Sequence, residues 1–322
     1  MSEKASTAPT ASGSGEVSRA RAWLIAIRPH TLPAGIAPVV VGTGLAIHRG
    51  VFAPVEAAFA LVGALLLQIG TNLANDYFDA EQGVDSADSP GYTRVTQSGL
   101  IAGRRVFRAA LASFALAFVS GLYLVSVGGV PILVVGLASI ASGLAYSGGP
   151  YPIGYHGLGD LFTFVFFGIV AVAGTFYVQA AVHVPGSFPT WIPRGTLPME
   201  AILASLPMAG LITAILVVNN IRDIEADRRS GKRTLAVLLG YRWSRVEYVA
   251  LLALSYLVPL WFATRAEYGL PVLLPFLTLP VAIVTTRRVL SYRDTAGLNP
   301  ALERTVQLVG AFALLFAIGL AV

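Results

Sequence analysis

Residues 200–227 read EAILASLPMAGLITAILVVNNIRDIEAD, and this stretch decides the fold class. Its first part is an apolar run close to the roughly 20 residues that an α-helix needs to cross a bilayer. The run ends in a polar cluster led by Asn219 and Asn220, which also holds Asp223 and Asp227. Carboxylates are costly at a membrane boundary unless a cation compensates them, so this cluster is a candidate functional site.

A second cluster of the same kind follows another apolar run. Residues 72–85 read NLANDYFDAEQGVD. Two such clusters in one chain predict a shared ligand, because two groups of carboxylates that approach each other repel unless cations bridge them. A pair of metal ions that hold a diphosphate satisfies this requirement.

The composition of the whole chain is typical of a helical membrane protein. The 322 residues are 55% hydrophobic and 12% charged, and the mean hydropathy is +0.71. The absence of cysteine excludes disulfides, thiolate nucleophiles and cysteine metal sites. The net charge of +5 comes with arginines in short loops between apolar runs, which favours an anionic membrane face or substrate and predicts no nucleic-acid partner.

Nine apolar stretches have the length of a membrane span, which predicts an all-α, polytopic membrane bundle with nine transmembrane helices. Residues 1–18 are small and polar and predict a disordered N-terminal tail, which leaves 19–322 as a single transmembrane domain. The nine stretches lie near 32–48, 55–74, 106–127, 130–147, 160–182, 200–220, 247–264, 269–286 and 305–322.

The distribution of basic residues predicts how the bundle is oriented. With a cytoplasmic N-terminus, only three of the 22 lysines and arginines fall in outer loops, namely Arg49, Arg194 and Arg265. An excess of basic residues on the inner side is typical of membrane proteins. We therefore expect a multi-pass protein of the cell (inner) membrane, with both acidic clusters on the cytoplasmic face and the C-terminus outside.

Helical spacing groups the acidic residues into two faces. If the second predicted helix continues through its cluster, Asn72, Asp76 and Asp79 share one face at i, i+4 and i+7. The second cluster gives a similar face at i, i+4 and i+8, formed by Asn219, Asp223 and Asp227. Oxygen ligands of this kind suit Mg²⁺, which commonly takes one or two carboxylates together with phosphate oxygens of a substrate.

Cations beside both clusters would bind an anionic group. They are Arg94, Arg222, Lys232 and Arg233. Acids, metal and cations together favour loss of diphosphate, with electrostatic stabilisation of the departing charge. In a cavity surrounded by lipid, the reaction that follows is ionisation of a prenyl diphosphate to an allylic cation, which an aromatic acceptor captures.

Four stretches resemble the UbiA superfamily of membrane prenyltransferases, and within it the branch that acts on 1,4-dihydroxy-2-naphthoate in menaquinone synthesis. They read NLANDYFDAEQGVD, TRVTQSGL, YSGGPYPIGYHGLGDLFTFVFFG and NNIRDIEADRRSGKRTLAVLLG, and the resemblance extends from about Trp23 to the C-terminus. It implies Mg²⁺-dependent transfer of a polyprenyl group from polyprenyl diphosphate to 1,4-dihydroxy-2-naphthoate. Diphosphate and CO₂ would be lost, which gives demethylmenaquinone.

The resemblance also implies roles for individual residues, carried over by position. Metal binding is implied for Asp76, Asp79, Asp85, Asp223 and Asp227. Diphosphate binding is implied for Arg94, Arg222 and Lys232, with Asn75 and Asn219 in support. Catalytic roles are implied for Asp76, Asp79, Asp223 and Asp227, and an active-site role for Tyr146.

Other interpretations stay open at this point. Either cluster alone could be a solvated helix end, and Tyr146, Tyr151 and Tyr155 could be interfacial aromatics. Another superfamily member, with a 4-hydroxybenzoate, haem, chlorophyll or lipid acceptor, would share the site chemistry. A cation-coupled secondary transporter is the alternative from a different class, although transporters place their ion sites near the bilayer midplane, whereas these acids lie at helix ends.

Overall fold

The computed structural model describes residues 17–83, 94–186, 188–292 and 295–322, and within these ranges the protein contains helices and no strands. The predicted tail therefore lies almost entirely outside the described residues. In chain order the helices are α1 (Arg19–Ile27), α2 (Pro33–His48), α3 (Pro54–Glu81), α4 (Gly103–Ala145), α5 (Gly159–Ala181), α6 (Met199–Arg229), α7 (Leu235–Ala263), α8 (Leu270–Ser291) and α9 (Asn299–Ala321).

The lengths and compositions of these helices confirm a helical multi-pass membrane protein. Within the described part of the chain, seven helices are long and apolar enough to cross a membrane, or eight if α1 and α2, bent by 45°, form one span. The count of nine spans and the cytoplasmic N-terminus stay predictions.

Two helices continue through the acidic clusters that follow their apolar runs. α3 extends to Glu81, so the assumption behind the face containing Asp79 holds, and α6 extends to Arg229. α6 is the central helix of the bundle, because 72% of an apolar 18-residue segment of this helix is buried inside the protein, compared with 11% for α4. It packs against α2, α5, α7 and α9, so its polar end is surrounded by other elements.

Helix α4 folds back on itself at Gly129, which has φ 68° and ψ −153°. Glycine is required at this turn, since a Cβ there would lie 1.8 Å from the Pro189 carbonyl oxygen. The two halves of α4 pack together beyond the turn, because a Cβ at Gly143 would lie 3.1 Å from the Phe114 ring. This hairpin packs against α3.

An ion-pair cluster ties the bundle together at the end opposite the acidic clusters. Arg49, which follows α2, reaches Glu200 at the start of α6 (N···O 3.4 Å) and Glu267 before α8 (3.6 Å). Beside it the His48 and Tyr268 rings stack with a centroid separation of 4.2 Å. Burial raises the pKa of Tyr268 to about 12.

Candidate active site

The polar ends of α3 and α6 face a common cavity of about 570 Å³. Most of the predicted site residues line it, which are Asn75, Asp79, Arg94, Tyr146, Asn219, Arg222, Asp223, Asp227 and Lys232. Two predicted residues are not among them. Asp76 does not line the cavity, and Asp85 lies outside the described residues.

The side of α3 that faces the cavity differs from the predicted face. Gln68, Asn72, Asn75 and Asp79 line the cavity, at i, i+4, i+7 and i+11. The spacing places Asp76 about 40° from Asn72 and about 60° from Asp79 around the helix, but its carboxylate turns to the backbone of Val95 and Thr96 and does not line the cavity. The role of Asp76 in metal binding stays a prediction.

Asp76 binds the turn that contains Val95 and Thr96. Its two carboxylate oxygens accept hydrogen bonds from the backbone N–H groups of Val95 (3.1 Å) and Thr96 (2.9 Å), and the side chain is 1% exposed. The turn that begins at Arg94 is therefore fixed to α3 through the carboxylate of Asp76.

Asp79 is the most heavily paired acid of the cavity. Arg94 Nη2 lies 3.0 Å from Asp79 Oδ2, and Lys232 Nζ lies 3.5 Å from Oδ1. The Tyr155 hydroxyl also donates a hydrogen bond to Oδ1, and Lys232 lies 4.5 Å from the centroid of the Tyr155 ring. Two cations converge on one carboxylate, so this part of the wall carries a positive surplus that suits an anionic ligand.

Arg222 is hydrogen-bonded to two other residues of the second cluster, Asp223 and Asn219. Its Nε and Nη2 donate to the two carboxylate oxygens of Asp223, both at 2.8 Å, and Nη2 also donates to Asn219 Oδ1 at 2.7 Å. Nη1 donates to Asn299 Oδ1 at the start of α9, at 3.0 Å. The side chain is 3% exposed, so Arg222 orients Asp223 and Asn219 rather than offering a vacant guanidinium.

Asp227 lies on the same face of α6 as Asp223, one turn further along the helix. Its Oδ2 accepts a hydrogen bond from the Thr234 hydroxyl at 3.3 Å, which also caps the start of α7. The predicted face of Asn219, Asp223 and Asp227 is present as the spacing indicated, because all three line the cavity.

Tyr146 lies one residue beyond the end of α4, in a space kept open by two glycines. A Cβ at Gly154 would lie 2.8 Å from the tyrosine ring, and a Cβ at Gly159 would lie 2.8 Å from its hydroxyl oxygen. Burial, followed by the negative charges of Asp160, Asp79 and Asp227, raises the pKa of Tyr146 well above its usual range. The hydroxyl therefore stays protonated and can donate a hydrogen bond.

The model of the UbiA prenyltransferase family matches residues 35–320. The chain belongs to the UbiA prenyltransferase family. It is thus a membrane prenyltransferase, and the transporter interpretation is set aside.

Several relatives are similar over most of their length. The chain is 39% identical over 312 residues to the 1,4-dihydroxy-2-naphthoate octaprenyltransferase of Escherichia coli K12, covering 95% of this chain and 96% of the relative. It is 41% identical over 235 residues to the protein of the same name from Mycobacterium tuberculosis H37Rv, covering 72% and 75%. The resemblance to the naphthoate branch of the UbiA family is confirmed.

Solved structures share the fold at low sequence identity. A UbiA homolog from Aeropyrum pernix K1 aligns with TM-score 0.68 at 16% identity, covering 89% of this chain and 96% of that one. A UbiA homolog from Archaeoglobus fulgidus, solved with GPP and Mg²⁺, aligns with TM-score 0.57 at 17% identity, covering 92% and 99%.

The donor atoms of the cavity fit a hard divalent cation. They are carboxylate and amide oxygens, and Asn75 Oδ1 is buried without a hydrogen-bond donor among the described residues. No three acidic or histidine side chains come close enough within the described ranges to form a complete metal site. The oxygen donors of the lining therefore fit a divalent metal ion.

Sequence reasoning missed several contributors to the cavity. Tyr155 could be an interfacial aromatic by its sequence, but its hydroxyl bonds to Asp79. Asn299 accepts a hydrogen bond from Arg222, and the sequence pattern around it indicates only a helix start before a proline. Arg28 lines the cavity, and the signal was a basic residue directly before proline at the break between two helices. Conversely, Arg233 is exposed and does not line the cavity, so the expectation that it binds the anion is not met.

Proposed function

We propose that this UbiA-family protein transfers a polyprenyl group from polyprenyl diphosphate to 1,4-dihydroxy-2-naphthoate, with loss of diphosphate and CO₂. The observation that carries the proposal is the convergence of Asp79 and Asp223 from two helix ends on one cavity, with Arg94 and Lys232 at its wall. The names of the curated relatives support the naphthoate as acceptor.

The charges of the cavity favour a diphosphate that enters with divalent cations. The described lining carries four cationic side chains and three carboxylates, namely Arg28, Arg94, Arg222, Lys232, Asp79, Asp223 and Asp227. A diphosphate brings several negative charges, more than the small net positive charge of this lining neutralises. Divalent cations that enter with it would neutralise the rest. We assign Mg²⁺ binding to Asn75, Asp79, Asp223 and Asp227, and Asp85 stays a predicted ligand.

Each protein group then has a distinct task at the donor end. Mg²⁺, when bound, stabilises the negative charge that develops on the departing diphosphate. Arg94 and Lys232 bind its oxygens, and Asp76 keeps Arg94 in place through the backbone of Val95 and Thr96. Arg222 keeps Asp223 in one orientation.

Bond formation at the acceptor follows from the charge on the prenyl carbon. As the C–O bond to diphosphate breaks, C1 of the prenyl group becomes an allylic cation. The ring carbon that bears the carboxylate is electron-rich because of the neighbouring hydroxyl at C1 of the same ring, and it forms the new C–C bond. Loss of CO₂ returns the electron pair of the C–carboxylate bond to the ring, which gives the hydroquinone form of demethylmenaquinone.

The same proposal includes nine membrane spans and a cytoplasmic active site. α1 and α2 form one broken span, and α4 crosses twice, because 43 residues of helix would extend about 65 Å, twice the hydrocarbon thickness. The turn at Gly129 divides α4 between the two predicted spans. Basic residues concentrate beside the acidic clusters, which favours the cytoplasmic face.

A reconstituted assay tests the proposal. Purified protein in detergent receives octaprenyl diphosphate, Mg²⁺ and 1,4-dihydroxy-2-naphthoate, and mass spectrometry measures prenylated product and released CO₂. We expect product with the wild type, a loss of at least 100-fold in Asp223→Asn, and no loss in Glu225→Gln, whose side chain is exposed and pairs with Arg228. Prenylation of 4-hydroxybenzoate in place of the naphthoate would refute the acceptor and keep the reaction class.

A further inference from the structure

A second polar group lies in the same cavity on the side of the α1–α2 bend. We call it the Arg28 group, and it consists of Arg28, Thr31, Gln68 and Asn72, all of which line the cavity. Arg28 adds to the positive charge of the cavity, but none of the four binds the diphosphate or the metal in the donor chemistry described above. The question is therefore which ligand they are built to bind.

The Thr31 hydroxyl is the centre of this group. It donates to the Arg28 carbonyl oxygen at 2.9 Å and accepts hydrogen bonds from Gln68 Nε2 (3.2 Å) and Asn72 Nδ2 (2.9 Å). Asn72 also donates to the Ile27 carbonyl at 3.0 Å. These bonds tie the α1–α2 bend to α3 and engage Nε2 of Gln68, which leaves its Oε1 without a partner among the described residues.

Two buried polar atoms of the group are left without a partner among the described residues. They are Nη2 of Arg28, a donor, and Oε1 of Gln68, an acceptor, and Gln68 is 7% exposed. A buried polar atom without a hydrogen bond costs free energy, so such atoms are rare unless a ligand or water satisfies them. No carboxylate in the described chain pairs with Arg28.

The backbone at Arg28 is strained in a way that points to function. Arg28 has φ 56°, the single positive φ outside glycine among the described residues. A left-handed conformation at a residue other than glycine, asparagine or aspartate costs about 1–2 kcal/mol, and such strain clusters at functional sites. Glycine would remove the strain, so the arginine side chain itself has a use at this position.

We propose that Arg28 binds the carboxylate of the aromatic acceptor and that Gln68 Oε1 accepts a hydrogen bond from its neighbouring ring hydroxyl. This inference rests on the proposed function, because it assumes a carboxylated hydroxyaromatic acceptor. A guanidinium matches the planar carboxylate in a bidentate geometry, and the amide oxygen supplies the complementary acceptor.

The position of the group suits an acceptor that must reach the prenyl carbon. Gln68 precedes Asn75 by seven residues on α3, which separates them by about 10 Å along the helix axis. The lining of the same cavity includes the apolar side chains of Ile212 and Leu216 on α6. A fused two-ring aromatic fits this interval, with its carboxylate at Arg28 and its ring directed toward the diphosphate end.

A pair of stable analogues isolates the proposed contact. 1-Hydroxy-2-naphthoate carries the carboxylate and the neighbouring hydroxyl, whereas 1-naphthol lacks the carboxylate. Binding of each to purified protein in detergent is measured by fluorescence titration without a prenyl donor. We expect the wild type to bind the carboxylated analogue at least tenfold more tightly, the size of one charged hydrogen-bonded contact.

Variants of Arg28 decide between a ligand contact and a structural role. Arg28→Gln and Arg28→Gly should abolish the preference for the carboxylated analogue, and Arg28→Gly should fold at least as stably as the wild type because glycine relaxes the backbone. Gln68→Leu should weaken both analogues, which share the hydroxyl. Arg21→Gln, at an exposed arginine of α1 outside the cavity, is the matched control and should keep the preference.

The remaining outcomes overturn the inference. A preference retained in Arg28→Gly, or absent in the wild type, would show that Arg28 does not bind the carboxylate. A raised KM for octaprenyl diphosphate in Arg28→Gln, with the KM for the naphthoate unchanged, would assign the guanidinium to the diphosphate. The proposed function fails separately, if the wild type makes no prenylated naphthoate although Arg28 confers the carboxylate preference.

Discussion

Arg222 and Asp223 are consecutive residues of α6, and their side chains form a bidentate ion pair with both N···O distances at 2.8 Å. The remaining guanidinium nitrogen reaches Asn299 at the start of α9. Asp223 is thus held by its own neighbour in the chain, and that neighbour is held by another helix. The orientation of the acid is set by the fold before a ligand arrives.

Replacing Arg222 by lysine keeps the charge and removes the planar fork. We expect Arg222→Lys to lower kcat about 100-fold, because a displacement of about 1 Å at a reacting group costs that much. The concentration of Mg²⁺ for half-maximal rate should rise as well. Arg228→Lys, at an exposed arginine that pairs with Glu225 at 3.0 Å, is the control. An unchanged Mg²⁺ dependence in Arg222→Lys would contradict the positioning role.

Asp76 and Asp79 are three residues apart, yet the structure gives them different tasks. Asp79→Asn should lower turnover 100- to 1,000-fold, because it removes the carboxylate on which Arg94 and Lys232 converge. Asp76→Asn should raise the KM for the prenyl donor about tenfold, since it loosens the turn that carries Arg94, and leave the Mg²⁺ dependence unchanged. If both variants lost Mg²⁺ affinity equally, Asp76 would be a metal ligand after all.

The space for Tyr146 depends on Gly159, where a Cβ would lie 2.8 Å from the tyrosine hydroxyl. Gly159→Ala should displace the ring, destabilise the protein by about 1–3 kcal/mol and lower kcat. Gly174→Ala is the control in the same helix, because nothing lies within 4 Å of a Cβ there. Thermal unfolding in detergent and steady-state rates measure the two effects. Equal behaviour of the two variants would argue against close packing around Tyr146.

Alkaline pH should destabilise the end of the bundle that contains Tyr268. Burial raises the pKa of Tyr268 from 10.0 to about 12, so the folded state keeps the proton that the unfolded chain loses. Its contribution to stability is therefore complete below pH 10 and is lost as the pH rises toward 12. We expect the Tm of the wild type to fall more steeply over this range than that of Tyr268→Phe. Tyr151→Phe, at an exposed tyrosine, should behave like the wild type.

The sequence predicted the α6 site better than the α3 site, and the reason is physical. Both clusters continue a regular helix, so periodicity defines which residues share a face. It does not define how the helix is rotated about its axis, which depends on packing. On α6 the face predicted from the spacing is the face that lines the cavity. On α3 the helix is rotated so that Asn75 rather than Asp76 lines the cavity.

Contacts between distant segments were beyond the reach of sequence patterns. The backbone donors of Val95 and Thr96 that engage Asp76 depend on where the loop folds. Whether an arginine binds a ligand or supports an acid depends on its neighbours in space, as the bond from Arg222 to Asn299 illustrates. The helical class, the polar helix ends and the residue types of the site followed from composition and spacing alone.

The contact between Asp79 and Lys232 also bears on how the protein is made. The two residues are 153 positions apart, so Asp79 enters the membrane long before Lys232 is synthesised. During that interval Arg94, in its own half of the chain, is the ion-pair partner available to Asp79 among the two that the described residues show. The second cation arrives once α4, α5 and α6 have been synthesised, and Asn299, which holds Arg222, follows only with α9. The site is therefore completed late in biogenesis, with the last helix of the bundle.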